Sequence, residues 1–109
     1  MEKQLTDLTC PECRGTLWEV RRGRSKDYQC RVGHTYSEKS MLAQHLAAQE
    51  TALYMALVAL EEGLSLFQRA AADSTESDAA QIRQIAEKRA RHVEALRRIV
   101  SEAHDLVLT

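Results

Sequence analysis

The sequence is poor in aromatic residues and carries almost no net charge, and each shortage excludes a class of protein. Aromatic residues make up 5% of the 109 residues, and proline occurs once. This composition favours helices with modest cores over a large sheet. Residues 1–36 hold seven Lys or Arg against five Asp or Glu, a net of +2, and residues 37–109 hold eight against eleven, a net of −3. Neither part has the strong positive field of a dedicated nucleic-acid-binding protein.

Long apolar runs are also missing. The longest, from Ala52 to Leu60, is nine residues, whereas a membrane-spanning helix needs about twenty. The N-terminal residues Met1 to Gln4 lack the apolar run of a secretory signal. An odd number of cysteines at metal-binding spacing suits a reducing compartment better than a disulfide scaffold. We therefore expect no membrane insertion and a cytoplasmic location.

The cysteines of the chain form one pattern together with a histidine. Cys10 and Cys13 stand in C-P-E-C, and Cys30 and His34 stand in C-R-V-G-H after sixteen intervening residues. Two such pairs supply the four soft ligands of a tetrahedral Zn²⁺ site. Iron also fits such a pocket, but a histidine among the ligands favours zinc. The pattern predicts one Zn²⁺ per chain, held by Cys10, Cys13, Cys30 and His34.

This metal is expected to be structural. A catalytic zinc keeps one position open beside three protein ligands, whereas four ligands are available here. No H-E-x-x-H or H-x-x-E-H arrangement accompanies them. We therefore predict a non-enzymatic protein, with no catalytic residues and no residues that bind an organic cofactor.

Residues 1–36 are predicted to form a zinc ribbon. Leu17 to Val20 and Lys26 to Gln29 alternate like the strands of a hairpin, with Arg21 to Ser25 as the connecting loop. Gly15 and Gly33 are expected to provide the backbone freedom that the two metal-binding turns need. The fold class is therefore mainly α with a small β zinc ribbon at the N-terminus.

Residues 37–109 are predicted to form an antiparallel hairpin of two long helices, at about 37–72 and 78–106. Thr35 with Glu38 fits a capping box, and Ser37 could cap the helix one register later. Turn-forming residues from Asp73 to Asp78 separate the helices. Each helix carries a coiled-coil-like heptad seam. The predicted seams are Leu42, Leu46, Gln49, Leu53, Ala56, Leu60, Gly63, Phe67 and Ala70 in the first helix, and Ile82, Ala86, Arg89, Val93, Leu96, Val100, Ala103 and Val107 in the second.

The first helix is apolar around its whole circumference between Ala52 and Leu60. One partner helix cannot cover such a surface, so we predict a homodimer in which two hairpins form a four-helix bundle. Alternatively, another protein domain packs on this surface. In the simplest case, the second helix and the ribbon cover it. We expect His45, His92 and His104 to be ordinary histidines without a second metal.

The basic cluster Arg21, Arg22 and Arg24, with Trp18 and Tyr28 nearby, leaves a second function open. It could contact the phosphates of a nucleic acid, with the helices as a dimerisation element. Acidic residues interrupt the cluster, however, and few phosphates could be neutralised. We therefore favour a solvated hairpin tip and regard nucleic-acid binding as unlikely.

The motifs also resemble a known family. C-P-E-C-x-G-x-L-W-E-V, followed by C-R-V-G-H-x-Y-S and an alanine- and leucine-rich helix, is similar to the C-terminal extension of some bacterial chemotaxis methylesterases of the CheB type. The likeness covers roughly residues 8 to 67. Such enzymes use a serine–histidine–aspartate site on an α/β domain that has no counterpart here, because the chain lacks G-x-S-x-G. The resemblance implies a zinc-binding accessory module of chemotaxis-type signalling that interacts with a signalling protein.

Overall fold

The computed structural model describes residues 2–73 and 76–106 and confirms the predicted fold class. Four strands come first along the chain: β1 (Glu2–Thr9), β2 (Thr16–Arg22), β3 (Ser25–Cys30) and β4 (Thr35–Ser37). Two helices follow, α1 (Glu38–Asp73) and α2 (Glu76–His104). The chain divides into two compact units between Ala47 and Ala48, so α1 begins in the first unit and ends in the second.

The strands form one antiparallel sheet in the order β1-β2-β3-β4. The predicted hairpin is its centre, where Leu17 to Arg22 pair with Cys30 to Ser25. Strand β2 extends to Arg22, which leaves a two-residue turn of Gly23 and Arg24 rather than the predicted five-residue loop. Gly23 has a φ of 65°, and a glycine with positive φ at the first turn position matches the twist of a tight hairpin. Strands β1 and β4 were not predicted.

The main core cluster of the first unit lies on one face of this sheet, and Val20 is buried apart from it on the opposite face. The buried members of the cluster are Cys10, Leu17, Cys30, Tyr36 and Met41, and Leu8 and Tyr28 pack against them. The core therefore contains two of the predicted metal ligands, and a single helical residue, Met41, covers it from α1.

The predicted capping box at Thr35 and Glu38 is wrong. Thr35 belongs to β4, and its hydroxyl donates to the carbonyl of Gly33 at 3.2 Å. The alternative cap is present, because the Ser37 hydroxyl accepts a hydrogen bond from the Ser40 amide at 3.1 Å. Ser37 is therefore the N-cap of α1. Thr35 cannot serve because Tyr36 and Ser37 after it still belong to β4, so the helix begins only at Glu38.

The second unit is a two-helix hairpin. Its buried residues, among those the structure describes, are Ala79, Ala86 and Val93, one heptad apart on α2. Two side-chain contacts join the described parts of the helices: Arg97 donates to Glu61 at 2.8 Å, and the His104 Nδ1 lies 2.8 Å from a Glu50 carboxylate oxygen. No described helix is both long and apolar enough to cross a membrane.

The predicted helix seams are partly wrong. In α2, Arg89 is exposed and Ala90 is half-buried in its place, while Val107 lies outside the described residues. In α1, Leu42, Gln49, Ala56 and Ala70 are exposed. Within the less exposed positions of α1 in the second unit, one series again recurs at spacings of four and three, with every second seam position moved by one residue. This series is Glu50, Leu53, Leu57, Leu60, Leu64, Phe67 and Ala71, and the half-buried residues beside it are Val58, Glu61, Gly63 and Ser65.

Replacing Leu17 tests the core of the sheet unit. Leu17 is fully buried, so Leu17→Ala should lower the free energy of unfolding by about 2–5 kcal/mol through lost burial and a residual cavity. Urea unfolding followed by the fluorescence of Trp18, the single tryptophan, measures the change. Leu5→Ala is the matched control on neighbouring β1, because Leu5 is 61% exposed; it should cost no more than about 1 kcal/mol. Equal losses in the two variants would contradict this assignment of the core.

Candidate metal centre

The first metal-binding turn connects β1 to β2. The Cys10 amide donates to the Gly15 carbonyl at 2.6 Å, and the Arg14 amide donates to the Cys10 carbonyl at 2.9 Å. The residue with positive φ is Arg14, at 66°, rather than Gly15. A Cβ at Gly15 would lie 3.4 Å from the Cys13 sulfur, an ordinary contact distance, so neither φ nor crowding requires a glycine there. The Gly15 amide donates a hydrogen bond to that sulfur.

The second turn connects β3 to β4. The Cys30 amide donates to the His34 carbonyl at 3.0 Å, and the Gly33 amide donates to the Cys30 carbonyl at 3.2 Å. Gly33 has a φ of 101°, a conformation that strongly favours glycine. This turn directs the His34 amide to the Cys30 sulfur at 3.3 Å. Backbone geometry therefore fixes the histidine relative to the thiol that precedes it.

The structure brings the four predicted ligands together. Their ligand atoms all lie within 4.8 Å of one another, an arrangement that could hold a metal ion. The Cys13 and Cys30 sulfurs are 3.7 Å apart. The His34 Nδ1 lies 3.5 Å from the Cys10 sulfur and 3.3 Å from the Cys30 sulfur. Two of these close pairs, Cys13 with Cys30 and Cys10 with His34, join one turn to the other, so the site ties the β1–β2 turn to the β3–β4 turn.

The centre is buried on one side and open on the other. Cys10 is 0% and Cys30 4% exposed, because both belong to the core. Cys13 is exposed and His34 is partly exposed. A metal ion here would contact the protein interior through Cys10 and Cys30 and would lie near solvent beside Cys13 and His34.

The surroundings of Cys10 favour its thiolate, the form that binds metals. Burial alone would raise the pKa of this thiol, but the backbone amide of Cys13 and the Tyr36 hydroxyl donate to its sulfur and lower the pKa to about 6. The Tyr36 oxygen is 3.6 Å from that sulfur. Burial, together with this contact, raises the pKa of Tyr36. Tyr36 therefore remains a hydroxyl donor at neutral pH.

Burial and hydrogen bonds also set the pKa values of the other two thiols, in a different balance. Burial would raise the pKa of Cys30, but the amides of His34 and Val32 donate to its sulfur and lower the pKa below its ordinary value. The Gly15 amide acts to lower the pKa of Cys13, yet burial and the neighbouring sulfurs of Cys10 and Cys30 raise it. Thiolates this close together repel one another, and a bound cation would neutralise their negative charge.

A carboxylate orients the histidine. The His34 Nδ1 faces the sulfurs, and its Nε2 lies 3.0 Å from a Glu12 carboxylate oxygen. Contacts with the Cys10 sulfur, and also with Cys30 and Glu12, raise the pKa of His34. A carboxylate that accepts from the far ring nitrogen fixes the tautomer and ring orientation of a metal-binding histidine.

Sequence reasoning missed Glu12 and Tyr36 as parts of the centre. Glu12 offered a signal, because it lies between the two cysteines of the first turn. Tyr36 offered a weaker one, because it follows His34 at the spacing that returns a β-strand side chain to the same face.

The arginine cluster does not form one surface. Arg21 and Arg22 are consecutive in β2, so their side chains point to opposite faces of the sheet. Arg21 lies 3.8 Å from the Glu19 carboxylate, and Arg24 is in the turn. Trp18 and Tyr28 also lie on opposite faces, because Tyr28 pairs with Glu19, the residue after Trp18.

The three remaining histidines lie outside the metal centre. The Nε2 of His45 is buried and has no hydrogen-bond partner among the described residues. His92 accepts a hydrogen bond from Arg89 at 2.8 Å. His104 pairs with Glu50.

Comparisons of the chain with protein-family models, with curated proteins and with solved structures found no match.

Neutralising Glu12 tests the orienting role of its carboxylate. Glu12→Gln should weaken metal binding by about 10–100-fold, because partners of this kind typically contribute that much to affinity. Competition with a chromophoric chelator measures the affinity. Glu2→Gln is a matched control. Glu2 is the first residue of β1, far along the strand from the metal-binding turn, and pairs with Arg21. Equal affinities for the wild type and Glu12→Gln would show that the carboxylate does not orient the ligand.

Proposed function

We propose that Cys10, Cys13, Cys30 and His34 hold one structural Zn²⁺ per chain. The observation that carries this proposal is the separation of the ligand atoms. Bonds of about 2.3 Å to sulfur and 2.0–2.1 Å to nitrogen put two sulfurs of a tetrahedral site about 3.8 Å apart, and a sulfur and a nitrogen about 3.6 Å apart. The 3.7 Å between sulfurs and the 3.3–3.5 Å between sulfur and nitrogen agree with these values.

The ligand set supports a structural role for this ion. Four protein ligands complete tetrahedral coordination and leave no open position for substrate. Cys10 and Cys30 are also core residues of a unit with few other buried side chains. A bound ion would therefore add to the packing that holds the two turns together.

We further infer that the chain is a non-enzymatic interaction module of bacterial chemotaxis-type signalling. Two observations support this role. The metal-binding motifs with their flanking Trp18 and Tyr36 are similar to those of the methylesterase extension, and the helical unit exposes large apolar residues that could contact another protein. The module would self-associate through its helices and contact a signalling protein in the cytoplasm.

Nucleic-acid binding is the alternative function, and the sheet geometry weakens it. Arg21 is paired with Glu19 and faces away from Arg22. Three arginines that do not share one face neutralise few phosphates at once.

Removal of one ligand tests the zinc proposal. Protein purified without chelator should contain one zinc per chain, and Cys13→Ser should lose it, because a tetrahedral site with three strong ligands holds the ion less tightly. Fluorescence of Trp18 should then report a disordered sheet while most helical circular dichroism remains. The zinc should also leave as the pH falls from 7 to 5, because protons compete for the thiolates and the imidazole. Wild-type protein without tightly bound metal in elemental analysis would refute the proposal.

Binding measurements separate the two functional classes. We expect the zinc-loaded chain to bind a chemoreceptor cytoplasmic domain or a methylesterase catalytic domain, with an affinity that persists in about 0.3 M salt. We expect no binding to random-sequence DNA or RNA. Calorimetry at two salt concentrations measures both. Binding to nucleic acid alone, with an affinity that falls steeply with salt, would replace the signalling proposal with its alternative.

A further inference from the structure

The three cysteines of the metal centre differ in their access to solvent. Cys10 is 0% and Cys30 is 4% exposed, whereas Cys13 is an exposed residue. Cys13 lies in the turn between β1 and β2, and its chain neighbours Glu12 and Arg14 are also exposed. Of the three thiols, that of Cys13 is therefore the one within reach of a small molecule in solution.

This difference in access decides which sulfur of a zinc-loaded centre reacts first. A cysteine must lose its proton to bind a metal ion, so all three sulfurs are then thiolates. The thiolate is also the form of cysteine that reacts with oxidants. Between sulfurs in the same charge state, susceptibility to oxidation follows exposure. An oxidant that meets the loaded centre therefore attacks Cys13.

A second sulfur lies close enough to react with an oxidised Cys13. The Cys30 sulfur is 3.7 Å from the Cys13 sulfur, so a small movement of the two side chains brings these atoms to the bonding distance of a disulfide. Cysteines that are oxidised reversibly combine an accessible thiol with a second thiol beside it. Cys13 and Cys30 have this arrangement.

Cys10 is less suited to be that second thiol. Its sulfur accepts hydrogen bonds from the Cys13 amide and from the Tyr36 hydroxyl, whose oxygen is 3.6 Å away. A Cys10–Cys13 disulfide would draw the Cys10 sulfur away from Tyr36, a buried residue of the core. A Cys13–Cys30 disulfide leaves that contact in place.

We propose that Cys13 is a site of reversible oxidation by hydrogen peroxide and that Cys30 is the thiol that completes the reaction. The metal centre then has a second state, with a Cys13–Cys30 disulfide and no zinc. This inference rests on the zinc of the proposed function, because coordination is what makes all three sulfurs thiolates.

The reaction balances in two steps. The Cys13 thiolate attacks one oxygen of hydrogen peroxide: a sulfur–oxygen bond forms, the oxygen–oxygen bond breaks, and hydroxide leaves a sulfenic acid on Cys13. The Cys30 thiolate then attacks the Cys13 sulfur: the disulfide forms, the sulfur–oxygen bond breaks, and a second hydroxide leaves. Both hydroxides take protons from the solvent. The two thiolates together lose two electrons, and the peroxide gains them.

The oxidised state loses the metal but keeps the connection between the two turns. Disulfide sulfurs are not thiolates, so two of the four ligands are lost, and Cys10 and His34 alone hold zinc weakly. Cys13 belongs to the first metal-binding turn, and Cys30 begins the second. The disulfide therefore joins the same segments that the ion joins, and a dithiol reductant with added zinc restores the original state.

Peptide mapping of oxidised protein tests the assignment. Zinc-loaded wild type is treated with hydrogen peroxide, zinc release is followed with a metallochromic indicator, and free thiols are blocked before digestion with trypsin. Cys10 and Cys13 fall in one tryptic peptide, residues 4–14, and Cys30 falls in another, residues 27–31. We expect the two peptides to be linked, with zinc released in step with the disulfide. Fragmentation at Pro11 distinguishes Cys13 from Cys10, and dimedone added with the peroxide should label Cys13 first.

Two variants that keep four ligands serve as a matched pair. Cys13→His and Cys30→His each leave two cysteines and two histidines, a ligand set that structural zinc sites also use. Cys13→His should release zinc at least about tenfold more slowly in peroxide, because its remaining thiolates are buried. Cys30→His should still be labelled by dimedone at Cys13 but should form no link between the two peptides.

The outcomes separate this inference from the zinc proposal. First labelling at Cys10 or Cys30, a disulfide within residues 4–14, or equal rates of zinc release from wild type and Cys13→His would overturn it. The wild-type peptide map decides even where a variant fails to bind zinc. Zinc is measured before oxidation: one zinc per chain followed by oxidation elsewhere refutes this inference alone, and protein without zinc refutes both proposals.

Discussion

Four side chains from two turns converge on one point, and the organisation of the sheet unit depends on that convergence. Cys10 follows β1 and Cys30 ends β3, so the centre connects strands that do not pair with each other. The unit has a small core, and Cys10 and Cys30 belong to it. Hydrophobic burial and ligand placement thus act at the same positions. The polar groups nearby are arranged around these ligands: they are the amides of both turns, the Tyr36 hydroxyl and the Glu12 carboxylate.

The metal centre could be predicted because its signal is local. The ligand types and their short spacings are visible within each turn, and alternation from Leu17 to Gln29 indicated the hairpin between them. Strand β1 could not be predicted, because Glu2–Thr9 is mostly exposed and has no clean apolar alternation. It is extended because β2 offers unpaired backbone groups at its edge, a long-range cause that propensity does not contain. At Thr35 the residues resemble a helix start, but pairing with β3 decides the conformation.

The many apolar residues of the helices made their heptad register ambiguous in the sequence. Existence, length and antiparallel order followed from periodicity and from the turn residues. Periodicity did not predict which face of α1 packs against α2, because Ala56 and Leu57 are both apolar and either one continues a heptad. Side-chain size resolves the choice: the leucine is half-buried, and the alanine is left outside. The same ambiguity occurs in α2 at Arg89 and Ala90, where the small apolar residue and not the charged one lies in the seam.

The junction between the sheet and α1 has a consequence for how the helix forms. The first turn of a helix fixes several residues for a single hydrogen bond, which makes nucleation the unfavourable step. Here β4 ends at Ser37, whose hydroxyl already caps the Ser40 amide, and Lys26 of β3 holds Glu38 at 2.9 Å while also contacting Glu19 at 3.1 Å. Once the sheet is folded, it therefore presents a first helical turn that is already capped. A helix that forms after the sheet would start at Glu38, and each further residue that is ordered would add one hydrogen bond.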